Sequence, residues 1–271
     1  MRHIKTWLAG ILLLASTAAA AQCTFKNTAF KSGEFLAYNL YYNWKFVWVK
    51  AGTASMSTVQ SVYKGQEAYR CSLTTSGNGR LDNFFVMRDT LLCYATTDMA
   101  PLYFRKGANE GGKYRVDEVF YSYPNGKYQV KMHRMNDEGK STYKTETLND
   151  CVFDMLNLFL RARSFNPTGW KKGYTLDIPV ADGNGTEKGR MTYDGKETVK
   201  ADNGHKYRCL KLTYSEWSNK KQRFKKISTF FVTDDNNHIP VRIDLFLNFG
   251  SAKAYLVSMK GIRNSVTSEV K

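Results

Sequence analysis

Residues 36–48, with the sequence LAYNLYYNWKFVW, decide the fold class, because large apolar side chains recur at every second position. The even positions carry Leu, Tyr, Trp or Phe throughout, whereas the odd positions mix Ala, Asn, Tyr, Lys and Val. This alternation is the period of a β-strand, whose successive side chains point to opposite faces. We therefore predict one strand over residues 36–48, which at roughly 3.3 Å per residue would be about 43 Å long and would have to curve or bend.

The aromatic face of this strand has two interpretations. Large side chains on one strand face usually belong to a packed core. A large curved sheet can also enclose a space that apolar ligands occupy. The residues that would then contact an apolar or amphiphilic ligand such as a lipid are Tyr38, Tyr42, Trp44, Phe46 and Trp48.

Turn sequences divide the rest of the chain into short runs rich in Tyr, Val and Thr. Gly, Asn, Asp and Pro cluster at residues 64–65, 124–126, 136–139, 182–185, 202–204 and 234–237. Turns at this density between strand-like runs are typical of an antiparallel meander.

One segment, residues 150–163 (DCVFDMLNLFLRAR), has a helical pattern instead. Asn149 or Asp150 would cap its start, Asp154 lies in its early turns, and Arg161 and Arg163 stand at its end, in agreement with the helix macrodipole. Its apolar residues cover most of the circumference, which predicts a helix packed inside the protein. Residues 80–87 are a second, shorter helix candidate.

The sequence also contains a weak internal repeat. Tyr69-Arg70-Cys71 returns 138 positions later as Tyr207-Arg208-Cys209, and two Gly pairs and one Pro pair keep nearly the same offset: Gly33 with Gly173, Gly52 with Gly189, and Pro101 with Pro240. The alternative is that hairpins with similar turn spacing look alike by chance. We predict a mainly β protein, an antiparallel meander in two related halves (residues 33–148 and 173–262). The halves would form a large curved sheet, a sandwich or an open barrel around one central helix.

The composition excludes a disordered protein, and the first residues predict export. The chain has 40 Lys and Arg against 24 Asp and Glu, a net charge of +16, and its 42% hydrophobic and 14% aromatic content excludes a disordered protein. Residues 1–21 resemble a signal peptide, with Arg2 and Lys5 before a short apolar run and Ala19 to Ala21 at the cleavage site. The apolar run is too short for a membrane span. We expect residues 22–271 to be a single β-rich domain, without a transmembrane span, in the periplasm or at the outer-membrane periphery.

The cysteines are consistent with an oxidising compartment but leave their pairing open. Five follow the predicted leader, an odd number, so at least one is unpaired. Cys23 lies just after the cleavage region, and its lipidation is the less favoured alternative because the preceding residues do not form a lipobox. No Cys-x-x-Cys pair is present, so we expect no zinc site, no thioredoxin-type centre and no cofactor. The five residues are Cys23, Cys71, Cys93, Cys151 and Cys209.

No catalytic signature stands out. His133, His205 and His238 have neither metal-ligand spacing nor an evident Ser or Cys partner, and we interpret them as surface residues. Adjacent acidic pairs occur at residues 117–118, 137–138 and 234–235. Two of the three lie in predicted turns, so solvated turn residues explain them more simply than a glycosidase site. Glycine pairs at residues 77–79 and 183–185 do not open a βαβ unit, so they predict no nucleotide site.

The strongest local charge feature lies in residues 220–226, KKQRFKK. Basic residues beside aromatic ones also occur on nucleic-acid-binding surfaces, but an exported protein rarely meets nucleic acid, and we expect no nucleic-acid partner. Anionic lipid headgroups, acidic glycans or an acidic envelope protein fit better. A solvated hairpin end kept polar for solubility is the alternative. The predicted anion-binding residues are Lys220, Lys221, Arg223, Lys225 and Lys226.

Landmark residues spread over residues 33–260 resemble an exported Gram-negative family called domain of unknown function 3108. The resemblance implies a periplasmic or cell-envelope β protein and supplies no activity, cofactor or catalytic residue. The cysteines and the strong basicity are not part of the family pattern. The landmarks are Gly33-Glu34, Leu36, Tyr38, Trp44, Ala51-Gly52, Ala54, Asp89, Pro101, Asp154, Arg161, Asp234-Asp235 and Ile239-Pro240-Val241.

Three hypotheses for function follow. The first is a non-enzymatic envelope protein that binds an apolar, amphiphilic or anionic ligand. The second is a hydrolase of envelope glycans or peptides, with carboxylates that the fold brings within about 5 to 9.5 Å of each other. The third is an interaction scaffold without a pocket, marked by an exposed apolar patch.

Overall fold

The computed structural model describes residues 23–44, 47–79, 86–247 and 250–271. The predicted signal peptide lies outside the described residues. Most of the second helix candidate, residues 80–85, lies outside them too, and Met87 begins a strand.

The described residues form fifteen strands and one α-helix. The strands before the helix are β1 (Glu34–Trp44), β2 (Val47–Tyr63), β3 (Gln66–Gly77), β4 (Met87–Thr96), β5 (Pro101–Glu110), β6 (Lys113–Ser122), β7 (Tyr128–Met135) and β8 (Ser141–Leu148). Helix α1 is Met155–Arg163, and a short 3-10 turn lies at Pro124–Gly126. The remaining strands are β9 (Thr175–Ala181), β10 (Thr186–Lys200), β11 (Lys206–Ser218), β12 (Arg223–Thr233), β13 (Pro240–Leu247), β14 (Gly250–Lys260) and β15 (Glu269–Val270).

All strands belong to one antiparallel sheet, which confirms the predicted mainly β meander. The strand order is β8-β7-β6-β5-β4-β3-β2-β1-β14-β13-β12-β11-β10-β9, with β15 added to β11. Within each half, every strand pairs with its neighbour in sequence, and the halves join at the centre through β1 and β14. Among the described residues β8 and β9 are not paired, so the sheet is open there.

Side chains and one short backbone contact cross this opening. The Thr186 hydroxyl donates a hydrogen bond to Glu146 of β8. The Arg134 guanidinium of β7 lies 3.4 Å from the Asp182 carboxylate at the end of β9. Phe153, just before α1, makes an isolated parallel bridge with Val180 of β9. The free edge of β9 is therefore partly covered.

The inner face of the sheet is filled by side chains. One buried cluster takes residues from both halves, including Leu36 of β1, Met132 of β7 and Leu256 of β14. Helix α1 adds Leu156 and Leu160 to the same cluster. Close packing of this kind is the ordinary interior of a folded protein.

The prediction of one strand over residues 36–48 is wrong. β1 ends at Trp44 and the chain reverses, because Trp44 pairs with Val47 and Asn43 pairs with Trp48 in the next strand. Paired residues share a face, so Trp48 lies on the face of Asn43, opposite to that of Leu36 and the other even positions of β1. A connection of two residues does not interrupt the alternation of large apolar side chains along the sequence. For this reason the alternation alone does not reveal the reversal.

The predicted helix exists but begins later than residue 150. Its N-cap is Asp154, whose carboxylate accepts hydrogen bonds from the backbone N–H groups of Leu156 and Asn157, at 3.0 and 2.9 Å. The preceding residues are held extended, since Phe153 exchanges backbone hydrogen bonds with Pro179 and Ala181. The expected basic C-terminus is confirmed. Met155 is exposed, so one side of the helix faces solvent.

The duplication stays a prediction, with observations on both sides. In the β4–β5 turn the Thr96 hydroxyl donates to Asp98 and accepts from the Ala100 N–H, just before Pro101. In the β12–β13 turn Thr233 bonds in the same way to Asp235 and to the Ile239 N–H, just before Pro240. The Tyr-Arg-Cys motifs, however, differ in register: Cys71 pairs with Cys93, three residues before Thr96, whereas Cys209 pairs with Thr233 itself.

Candidate functional site

The β11–β12 hairpin forms one side of an open groove of about 320 Å³, which we call the basic groove. Phe224 pairs with Trp217 across the hairpin, and their rings meet edge to face with centroids 5.3 Å apart. Phe246 of β13 forms the other side. The lining residues are Lys221, Arg223, Phe224, Lys225, Lys226 and Phe246. The groove therefore combines cationic groups with two aromatic rings.

Most cations that line the groove have no acidic partner among the described residues. Among the described residues, Lys221, Arg223 and Lys226 form no ion pair with a carboxylate, and all three are exposed. The Lys226 ammonium instead lies 4.6 Å from the centre of the Phe246 ring, within cation–π range. Glu216 pairs with Lys225 across the hairpin, and burial raises the pKa of the Glu216 carboxyl. The open side of the groove is thus positive.

A neighbouring arginine fixes the back of the groove. The Arg190 guanidinium on β10 lies 4.0 Å from the centre of the Phe224 ring. The same group makes two hydrogen bonds to the Asp177 carboxylate, at 2.6 and 2.7 Å. Because Arg190 is held by Asp177, Phe224 packs against a fixed planar group and the hairpin keeps its position.

Four of the five predicted anion-binding residues line this groove: Lys221, Arg223, Lys225 and Lys226. Lys220 lies beside them in the turn and is exposed. The fold adds Phe246, which comes from a different hairpin and which the local sequence does not indicate. The anion-binding role of these residues stays a prediction.

The predicted aromatic stripe does not form one surface. Tyr38 is buried in the core, and burial raises the pKa of its phenol well above the usual value. Tyr42 is half-buried in β1. Trp48 is on β2, facing the other way, and is exposed. The side chain of Trp44 and all of Phe46 lie outside the described residues. A ligand-binding role for the stripe stays a prediction.

A second cluster, which we call the relay, lies across β6, β7 and β8. His133 Nδ1 lies 2.8 Å from Glu118 Oε2, and His133 Nε2 lies 3.0 Å from Ser141 Oγ. The Tyr103 hydroxyl donates a hydrogen bond to the other oxygen of Glu118. Burial acts to raise the pKa of Glu118, but the hydrogen bonds from Tyr103 and His133 outweigh it and hold the pKa below its usual value. A hydroxyl, an imidazole and a carboxylate in this order can activate the hydroxyl as a nucleophile.

The sequence alone does not predict the relay, because its residues are far apart along the chain and become neighbours only through the register of the paired strands. Glu118 pairs with His133, and Ser141 is the diagonal neighbour of His133 on β8. The interpretation of His133 as a histidine without a Ser partner is therefore wrong. His238 is also not a surface residue: it is buried, and its Nδ1 donates to the Arg163 carbonyl at 2.6 Å.

The acidic pairs proposed for a glycosidase site are engaged in other contacts. Asp117 binds Arg134 at 2.5 Å, and Asp137 binds Lys113 at 3.0 Å. Asp234 binds Lys196 at 2.8 Å, while Asp235 accepts hydrogen bonds from Thr233 and Ser268. Each pair therefore has a structural role, and the hydrolase hypothesis in its carboxylate form stays a prediction.

Comparison with known proteins identifies a family. The family model described as protein of unknown function, DUF3108, matches residues 37–257. The chain belongs to the DUF3108 family. The resemblance drawn from the sequence is thereby confirmed, and no curated protein matches the chain.

The DUF3108 fold also has a solved neighbour. A crystal structure of a β-barrel-like protein of the domain of unknown function DUF1849 from Brucella abortus is similar, with a TM-score of 0.53 and 12% sequence identity. The match covers 86% of this chain and 98% of the other. At this identity the similarity concerns the fold alone.

Several landmarks that suggested DUF3108 have structural roles. Glu34 forms a buried ion pair with Arg163, at 2.5 Å. Gly52 lies where a Cβ would be 2.2 Å from the Ser76 carbonyl oxygen, so any side chain there would push β2 and β3 apart. Pro101 and Pro240 each begin a strand after the Thr-Asp turns described above. Asp154 caps α1.

The cysteines of this DUF3108 chain are now partly assigned. Cys23 and Cys151 form a disulfide, with their Cα atoms 5.4 Å apart. This bond uses the Cys23 sulfur to which a lipid would be attached, so a lipidated Cys23 would not be in this disulfide. The remaining thiols are buried, and burial raises the pKa of Cys209 to about 12 and that of Cys93 well above its usual value. The thiols of Cys93 and Cys209 therefore stay protonated and unreactive at neutral pH.

Two properties of the described ranges concern metal ions and membranes. Within them, no cluster of three or more His, Cys, Asp or Glu side chains is arranged to hold a metal ion. Nor does any helix there have the length and apolar character needed to cross a bilayer.

Proposed function

We propose that this DUF3108 protein is a non-enzymatic binding protein of the cell envelope, and that its basic groove takes an anionic group beside an apolar one. The observation that carries the proposal is the juxtaposition of Lys226 and Phe246, with Lys221 and Arg223 beside them, all reachable from solvent. Cations attract an anionic group, while the exposed ring offers an apolar contact next to it.

The filled interior favours this outer site over a ligand inside the sheet. Leu36, Tyr38 and Leu256 are buried in the same cluster as Leu156 of α1, where an enclosed ligand would have to lie. An amphiphilic ligand in that place would have to displace packed side chains, which is costly. We therefore assign the apolar part of the ligand to the groove rings.

Export into the periplasm is part of the same proposal. The leader-like residues 1–21 support it. The Cys23–Cys151 disulfide adds support, since such bonds persist in oxidising compartments and are rare in the cytosol. In the envelope, anionic headgroups and glycans are the abundant partners for a basic surface.

Binding to a soluble polyanion, dextran sulfate, tests the groove. We expect the variant Lys221→Gln, Arg223→Gln, Lys226→Gln to bind roughly tenfold or more weakly at low salt, since each exposed cation–anion contact contributes up to about 1 kcal/mol. The matched control, Lys26→Gln, Lys127→Gln, Lys172→Gln, removes the same charge from exposed residues elsewhere. Equal affinities of the two variants in fluorescence titration would show that net charge, and not the groove, binds the anion.

The relay supports a second candidate function, hydrolysis of an ester. In this mechanism the Ser141 hydroxyl would pass its proton to His133 Nε2 while Oγ bonds to the acyl carbon. The bond to the alcohol would then break, the alcohol would leave with that proton, and water would release the acid. Neither the groove nor a small cleft beside Trp170 adjoins Ser141. For this reason the binding function is preferred.

A fluorophosphonate probe decides this second candidate. If Ser141 is a nucleophile, it will form a phosphorus–oxygen bond with the probe and release fluoride, and Ser141→Ala will abolish labelling. The variant Glu118→Gln should slow labelling by about tenfold or more, because the carboxylate orients the imidazole. Thr142→Ala on the same strand is the control. Absence of labelling in the parent protein, or equal labelling of Ser141→Ala, rejects the hydrolase.

A further inference from the structure

Two adjacent hairpins carry exposed apolar side chains at the same end of the sheet. β1 and β2 meet near Val47, and β13 and β14 meet near Leu247; the hairpins are neighbours because β1 pairs with β14. The exposed fractions are 61% for Val47, 39% for Trp48, 38% for Phe246 and 50% for Leu247. We call these four residues the apolar tip. By strand alternation Trp48 and Phe246 lie on one face of the sheet and Val47 and Leu247 on the other, so both faces at this end carry exposed apolar side chains. Exposed apolar side chains gathered at one end are typical of an interaction site.

Lysines stand directly over the two aromatic rings of the apolar tip. The Lys253 ammonium lies 4.4 Å from the Trp48 ring, and the Lys226 ammonium lies 4.6 Å from the Phe246 ring. Strand register explains the first contact: Trp48 and Lys253 pair with Asn43 and Tyr41, two positions apart on β1, so they share a face.

The apolar tip is continuous with the basic groove. Phe246 belongs to both, and the strands that carry them, β2, β1, β14, β13 and β12, are consecutive in the sheet. Four strand spacings of about 4.8 Å place Trp48 and the groove within roughly 20 Å of each other along one edge. Apolar side chains therefore stand at the strand ends, and cations lie beside them.

We propose that this end of the sheet docks on an anionic lipid bilayer. The apolar tip would enter the headgroup region, and Lys226, Lys253 and the groove cations would contact lipid phosphates. Apolar and cationic side chains at one end match the two layers of a bilayer interface, an apolar interior below an anionic surface. The inference rests on the proposed function and names its partner, an anionic phospholipid surface. An acidic protein would be matched by the cations but would leave Val47 and Leu247 without a reason to be exposed.

Flotation with vesicles tests the docking. We expect the parent protein, residues 22–271, to bind vesicles of equal parts phosphatidylglycerol and phosphatidylcholine, and to bind phosphatidylcholine vesicles at least about tenfold more weakly, because each basic side chain near an anionic surface strengthens binding about fivefold. Binding should weaken with salt.

Variants of the apolar tip separate docking from simple charge attraction. Val47→Ser with Leu247→Ser should lower the affinity for anionic vesicles by about tenfold or more, since both side chains would lose burial in the interface. The same variant should bind dextran sulfate as the parent does, because no groove cation has changed. The control is Val62→Ser, on the same strand β2 but at its far end, with a side chain that is 60% exposed.

The outcomes distinguish this inference from the proposed function. Unchanged vesicle binding by the Val47→Ser, Leu247→Ser variant, or equal binding to both vesicle types, overturns the docking. Dextran sulfate binding without vesicle binding also overturns it and leaves a glycan or an acidic protein as the partner. Should the groove variant keep its affinity for dextran sulfate, the proposed function itself would fail, whatever the vesicles show.

Discussion

At the scale of single residues, the buried ion pair of Arg163 and Glu34 is the most consequential contact. Both side chains are 1% exposed. Arg163 also donates two hydrogen bonds to the Asn237 carbonyl, each 3.1 Å long. The pair therefore connects the end of α1 with the start of β1 and with the β12–β13 turn. Since the two charges compensate each other where both side chains are buried, removing one is costly.

A double-mutant cycle measures this contact. We expect Arg163→Met to lower the free energy of unfolding by about 3–5 kcal/mol, because Glu34 is left buried without its ion-pair partner. Glu34→Gln should cost a similar amount, and the double variant should cost clearly less than the two single losses together. Urea denaturation gives the values. Additive losses would mean that the two groups do not interact in the folded protein.

At the scale of elements, the sequence predicts most strands and turns. It does not predict every residue at which a strand or helix begins or ends. Turn residues marked most strand ends, because Gly, Asn and Asp are needed there for backbone reasons. The reversal between Trp44 and Val47 left no such mark, since no Gly or Asn lies between them. The sequence predicts the helix start too early because Asp150 and Asp154 are both suitable caps, and the choice between them depends on the pairing of Phe153 with β9.

The candidate sites differ in how much the sequence could reveal. The basic residues of the groove all lie within the seven consecutive residues 220–226. The charge of the groove is therefore predictable from the local sequence. Phe246 and the relay are not, because they depend on which strands are neighbours. Ser141, His133 and Glu118 lie on three different strands and meet only in one register. A shift of one residue would turn these side chains to the other face.

At the scale of the whole molecule, the disulfide ties the two ends of the first half together. Cys23 precedes β1 and Cys151 follows β8, with 128 residues of separation. Closing so long a loop removes much conformational freedom from the unfolded chain. Together with the side-chain contacts that cross the opening between β8 and β9, the disulfide fixes the end of β8 relative to the rest of the sheet.

Removal of this disulfide should lower stability strongly. We expect Cys23→Ser with Cys151→Ser to reduce the free energy of unfolding by about 3–5 kcal/mol, as estimated for loops of this length. Denaturation of the parent protein with a reducing agent should reproduce the loss, whereas the variant should not respond to reductant. If the parent denatures identically with and without reductant, the bond contributes nothing to stability.

The pairing of β1 with β14 has a consequence for how the protein is made. β1 leaves the ribosome before the other strands of the sheet, and its partner β14 leaves after all of them except β15. Until β14 arrives, β1 has one unpaired edge, which can recruit strands of other chains. The centre of the sheet is thus completed late, and a chaperone that shields this edge would matter most during that interval.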